Sequence, residues 1–169
     1  MNFVGIAHQD SFDLAASLRQ KMGLFKEAPG GARVCEVRRP REDGKFGVPA
    51  YAAAGKWPEL QNMLQRLKRI GDVGGGIEFG RIDLRLLPAG ACMDWIIERD
   101  EAAQQYEHAI MMLRTSPAAT WFAGPEVFMP AIGLLTVVSR RVPRSAINMG
   151  DASAIWLALD FCKKDRADG

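Results

Sequence analysis

The sequence predicts a mainly β fold, a sandwich or barrel, with helices in its N-terminal part. Three observations predict it. From Arg81 onward, short apolar runs recur at intervals of about ten residues between Gly, Pro, Asn and Asp turn signals. Before Arg81, two stretches space their apolar residues at the helical period instead. A chain of 169 residues is the length of one domain able to bury a single core.

In chain order, "DSFDLAASLRQKM" (Asp10 to Met22) reads as a helix, with Phe12, Ala15, Ala16 and Leu18 near helical spacing and Asp10 or Ser11 as cap. A strand is expected around Arg33 to Arg38, followed by an irregular basic loop, "RRPRE", Arg38 to Glu42. That loop is read as a solvated edge, or more sharply as an anion-binding one. The clearest helix is "WPELQNMLQRLKRIG". Pro58 suits its first turn, Leu60, Met63, Leu64, Leu67 and Ile70 form one stripe, and Gly71 is expected to end it.

"GGGIEFG" (Gly74 to Gly80) is glycine-rich, but a helix precedes it and a strand-like run follows. That is the reverse of a dinucleotide-binding loop, so it is read as a mobile turn. The expected strands then follow as "GRIDLRLLPAG", "ACMDWIIE", "EHAIMMLRT", "ATWFAG", "EVFMP", "LLTVVS", "RSAIN" and "AIWLALDF". Between the second and third of these, "RDEAAQQ" reads as a loop or short turn. The division expected is 1–75 helical and mixed, 76–162 β core, and 163–169 a frayed tail, all within one domain.

Composition excludes more than it selects. The net charge of +2 favours neither nucleic acid nor membrane surface, and no aromatic–basic interleaving marks a single-strand binder. No apolar run reaches the length of a membrane span, and the N-terminus does not read as a signal peptide, so a cytoplasmic setting is expected. Three scattered cysteines, Cys35, Cys92 and Cys162, make no zinc spacing and are expected as buried or partly buried thiols. Only His8 and His108 exist, which limits any site that needs imidazole.

The ordered series of pieces from about Trp57 to Phe161 resembles the aspartyl/asparaginyl β-hydroxylase family. "GRIDLRLLPAGA" is similar to that family's first core strand and Leu-Pro-x-Gly turn. "LRTSP" is similar to its Leu-x-Thr-Asn-Pro. "RSAINMGD" and "LALD" are similar to its Ser-x-x-Asn-x-Gly-Asp and closing Leu-x-x-Asp. The resemblance implies a double-stranded β-helix, a jelly-roll or cupin-like barrel, built for Fe(II) and 2-oxoglutarate.

The resemblance also puts Ile96 at the first metal-binding histidine, Glu98 at the acid and Arg144 at the distal histidine. It puts Ser153 or Ala154 at the cosubstrate arginine and Trp156 at a further histidine; His108 falls near another arginine position and Ile110 at its histidine. Non-haem Fe(II) wants two imidazoles and a carboxylate on one face. Isoleucine has no lone pair, and arginine is a cation with no acceptor. The expectation is therefore no bound metal and no cofactor.

Glu98 and Arg144 are expected to face each other across the barrel mouth, closing the old pocket or leaving Arg144 for an anion. Trp95, Ile96, Trp156 and Met112 are the expected apolar lining, and His108 a core or rim residue or acid–base partner to Glu98 or Asp94.

The leading expectation is a pseudoenzyme that binds a small anionic molecule or a protein partner. One alternative is redox-neutral catalysis (isomerase, lyase or cyclase) by Glu98 and Arg144. A second is an active dioxygenase with atypical ligands Asp94, Glu98 and His108. Open jelly rolls have edge strands that invite pairing, so a homodimer is a further expectation.

Overall fold

The computed structural model describes residues 3–5, 8–28, 31–38, 57–73, 77–97 and 106–163. Its elements run β1 (Phe3–Gly5), α1 (His8–Leu18), a 3-10 turn (Arg19–Leu24), β2 (Lys26–Glu27), β3 (Arg33–Arg38), α2 (Pro58–Val73) and β4 (Ile77–Leu87). They continue with β5 (Glu107–Arg114), β6 (Ala119–Ala123), β7 (Glu126–Phe128), β8 (Leu134–Val138), β9 (Arg144–Asn148) and β10 (Ala154–Lys163).

Seven strands form one sheet in the order β1-β8-β5-β10-β4-β3-β2, and three form a second in the order β7-β6-β9. Residues 92 to 96 lie along the other edge of β9 through two isolated antiparallel bridges, Cys92 with Ile147 and Ile96 with Arg144. From β4 onward the chain therefore steps between the two sheets, and the barrel is a double-stranded β-helix, mainly β with helices near its N-terminus.

Side-chain alternation divides the core in two. On β10, Ile155, Leu157 and Leu159 point to one cluster and Ala154, Trp156 and Ala158 to the other. On β4, Ile82, Leu84 and Leu86 join the first cluster. That cluster also holds Leu14 and Leu18 of α1 and Leu60, Met63 and Leu67 of α2, so both helices cover the outer face of the large sheet. The Trp57 indole donates to Ser17 Oγ at 2.8 Å and ties the start of α2 to α1. β10 is apolar on both faces because it is covered on both, by helices outside and by the second sheet inside.

Several expected elements differ. α2 continues through Gly71 to Val73, so the glycine does not stop it. Ile77 to Gly80, expected in a mobile turn, open strand β4; the preceding glycines, 74–76, lie outside the described residues. Within "ACMDWIIE" the described residues form no continuous strand and pair with β9 through two isolated bridges. β1 and β2 were not expected at all, and together with β3 they make the N-terminal part an extension of the large sheet. The basic loop lies almost wholly outside the described residues. Cys35 is buried and Cys162 half-buried, but Cys92 is exposed.

Two of the motif turns are closed by Asn148, which is fully buried. Its amide donates to the carbonyls of Leu87 at 3.2 Å, Pro88 at 3.1 Å and Ala152 at 2.8 Å, and its Oδ1 accepts from Gly150 N–H at 3.2 Å. Beside it, a Cβ on Gly150 would come within 1.7 Å of Ser116 Oγ, so the "TSP" turn and the "NMGD" turn pack where only glycine fits. Gly90, at φ 70°, makes the left-handed step of the Pro-x-Gly turn.

Candidate functional site

Between the sheets, alternate residues of three neighbouring strands of the large sheet face inward. β4 sends in Asp83 and Arg85, β5 sends in His108, Ile110 and Met112, and β10 sends in Trp156 and Asp160. The register sets them side by side. Trp156 stands opposite Arg85 on one flank and Met112 on the other, and His108 stands between Asp160 and Val138. The second sheet faces them with Arg144 and Ala146 on β9 and Trp121 and Phe128 on β6 and β7. Trp121 meets Trp156 edge to face at 5.5 Å between centroids, and so fills the barrel centre. What remains is a cavity of about 40 Å³. Its polar lining is Arg85, His108, Arg144 and Ser145, and its walls include Trp121, Phe128 and Trp156.

The polar groups are ordered as a chain. Arg140, just after β8, is in direct contact with Asp160 Oδ2. Asp160 Oδ1 lies 2.8 Å from His108 Nδ1. All three side chains are nearly out of water, at 9%, 7% and 6% exposed. Burial pushes the Asp160 carboxyl up, but the hydrogen bond with His108 and the Arg140 cation outweigh it and hold the carboxyl below its usual value.

Burial does the opposite to the imidazole. It lowers His108 from 6.5 to about 4, against the Asp160 hydrogen bond, with the Arg144 and Arg85 charges helping to lower it. At neutral pH the ring is uncharged. An ionised Asp160 can only accept, so Nδ1 carries the proton and Nε2 the lone pair. On β4, Arg85 Nη2 donates to Asp83 Oδ2 at 3.4 Å. Arg85 Nε is buried without a hydrogen-bond partner among the described residues. Burial raises the Asp83 carboxyl despite Arg85 and Arg81.

Among the residues named from sequence, Arg144, Ile96, His108 and Trp156 meet at this cavity. Ile96 and Arg144 are backbone partners, with Ile96 N–H donating to Arg144 O at 2.8 Å and Arg144 N–H to Ile96 O at 3.0 Å. Trp95 is not a wall of the cavity: it is 59% exposed, with Phe122 at 5.9 Å as its ring partner. Met112 is fully buried in the inner layer, away from the cavity surface. His108 pairs with Asp160, in place of the expected Asp94 or Glu98. Glu98, and with it any pairing to Arg144, lies outside the described residues.

Sequence reasoning missed Arg85 and Asp160 as site residues. The available signal was a charged residue inside an otherwise apolar strand, in "RIDLRLL" and "AIWLALDF". Chemically, two guanidinium groups, a hydroxyl and a neutral imidazole converge on a volume suited to a very small molecule. Among the described residues no three His, Cys, Asp or Glu side chains are grouped to hold a metal ion.

No family model matches the sequence, and no curated protein matches it. Solved structures match by shape. The non-heme alpha ketoglutarate dependent epimerase SnoN from nogalamycin biosynthesis aligns with a TM-score of 0.69 at 11% identity, covering 95% of this chain and 76% of that one. An oxidoreductase of the 2OG-Fe(II) oxygenase family from Burkholderia pseudomallei gives 0.62 at 15% identity, covering 89% and 78%. A Pseudomonas putida prolyl-4-hydroxylase gives 0.61 at 17% identity, covering 97% and 92%. At such identities the likeness is one of fold: the chain has the double-stranded β-helix that 2OG-Fe(II) oxygenases share.

Proposed function

We propose that this chain is a metal-free, degenerate relative of the aspartyl/asparaginyl β-hydroxylases that binds a small anion inside its barrel and carries out no oxygenase reaction. The observation that carries the reading is the pair at the bridge between residues 92 to 96 and β9. Where the resemblance expects two imidazoles, Ile96 and Arg144 stand side by side on the cavity wall.

The described donors do not fit Fe(II). Isoleucine has no lone pair, and a guanidinium would repel the ion. His108, with its Nδ1 held by Asp160, offers a single imidazole nitrogen where the ion needs two. Ala154, at a candidate cosubstrate-arginine position, is fully buried with only a methyl to offer. A cavity of about 40 Å³ is also far smaller than the roughly 300 Å³ or more of an ordinary cofactor pocket.

An anion fits better. Arg85 and Arg144 bring positive charge into an interior whose aromatic walls lower the local dielectric and strengthen a charge-assisted hydrogen bond. Ser145 adds no donor for the anion, because its hydroxyl donates to Met93 O at 2.7 Å. The cationic groups lie inside the barrel, which favours a small ligand over a protein partner.

A thermal-shift screen of formate, acetate, glycolate and inorganic phosphate on the full chain tests this reading. At a hundred times its dissociation constant, a bound anion adds about 2.7 kcal/mol, roughly 5 to 10 °C at this chain length. Arg85→Ala or Arg144→Ala abolishes the shift. No shift with any of the four overturns the anion reading. Stoichiometric succinate release with Fe(II) and 2-oxoglutarate overturns the metal-free one.

A further inference from the structure

We infer that the anion taken by this cavity is a small 2-hydroxycarboxylate, held at its charged end by Arg85 and Arg144 and at its hydroxyl by Nε2 of His108. The inference rests on the anion reading above and narrows it to one class of ligand.

The imidazole is the least adaptable group in the cavity. Its Nδ1 is fixed 2.8 Å from Asp160, and Asp160 is itself fixed by Arg140. Ring orientation and tautomer are thereby set, and the Asp160 contact is the one hydrogen bond the ring makes among the described residues. Nε2 remains as an acceptor on a ring that lines the cavity beside Ile110 and Trp156. A carboxylate oxygen against that lone pair would be repelled, whereas a hydroxyl would donate to it. An acceptor left unsatisfied in such surroundings carries a penalty that a ligand without a donor cannot relieve.

Burial keeps the ring in this state, and the neighbouring guanidinium charges help. Among the described residues, the charged groups facing it include Asp160 from β10, Arg140 after β8, Arg85 with its partner Asp83 from β4, and Arg144 from β9. With its value lowered to about 4, the ring stays neutral across the physiological range.

Size gives the final limit. The cavity, about 40 Å³, favours a short hydroxy acid over a long one. Arg85, His108 and Arg144 line the same cavity, and both guanidinium charges act on the imidazole.

Calorimetric titration of the full chain with glycolate and with propionate tests this, because propionate has a methyl where glycolate has its hydroxyl. Glycolate is expected to bind roughly tenfold tighter at pH 7. His108→Phe brings glycolate down to the propionate level. Should that variant fail to fold, nitrogen NMR of the wild-type imidazoles supplies the same test, with only two histidines to assign. Glycolate moves the Nε2 resonance of His108 and propionate leaves it in place. Equal affinities with an unmoved Nε2 overturn the hydroxyl inference and leave the anion reading standing. If neither acid binds, this inference falls, and the anion reading falls with it only when formate, acetate and inorganic phosphate also leave the thermal midpoint unmoved.

Discussion

His108 shows how one buried residue sets the behaviour of the site. In the unfolded chain its imidazole titrates near 6.5, and in the fold at about 4. Between those values the unfolded state binds the proton first, so His108's contribution is complete above about pH 6.5 and is lost as pH falls toward 4. The full loss is on the order of 3 kcal/mol. Asp83, whose value is raised, acts in the opposite direction, because its folded form takes up a proton earlier as pH falls. The His108 part is isolated by comparing denaturant midpoints of wild type and His108→Gln between pH 7 and pH 5. Wild type is expected to lose more stability on acidification; equal losses would mean that His108 is not held neutral.

Asp160 depends on its neighbours more strongly still. Removing the carboxylate in Asp160→Ala leaves Arg140 and His108 without their shared partner in the interior. It is expected to cost about 3 to 5 kcal/mol by equilibrium unfolding. A loss under about 1 kcal/mol would show that water reaches this pair.

At the scale of elements, the two turns most similar to the hydroxylase motifs serve as scaffold. Asn148 pins the end of β4 to the turn between β9 and β10, and Gly150 lets the Ser116 turn pack against it. Asn148→Ala is expected to lose roughly 1 to 3 kcal/mol through the unsatisfied carbonyls of Leu87 and Ala152. Gly150→Ala is expected to destabilise by a similar amount, because the new Cβ meets Ser116. Thermal unfolding of both variants checks this, and an unchanged midpoint in either would remove the turn's scaffold role.

How far the fold was legible follows from burial. Long elements with one or two clear apolar faces, such as α2 and β10, could be read directly, because their pattern records what covers them. β1 and β2 hold only three and two residues, too few for a period to show. Residues 92 to 96 pair with β9 through two isolated bridges, and nothing in "ACMDWIIE" distinguishes that from a full strand. In "RIDLRLL" the alternation is plain, but a polar strand face is ordinarily read as facing water. Here it faces the inside of the barrel, a matter of topology that the local pattern does not contain. The Asp160–His108 pairing joins residues 52 apart in the chain, so only the register of β5 on β10 reveals it. Ile96 and Arg144, singled out from the resemblance, both line the cavity.

Taken as a whole, the molecule has the double-stranded β-helix that 2OG-Fe(II) oxygenases share, and its interior holds guanidinium groups, a neutral imidazole and packed tryptophans. We propose that this interior binds an anion and not a metal. Anaerobic calorimetric titration of the full chain with Fe(II) at pH 7, with 2-oxoglutarate present, tests that claim most directly. The account predicts no saturable one-to-one binding at micromolar concentrations. A stoichiometric Fe(II) complex of micromolar affinity, lost in Glu98→Ala, would contradict it.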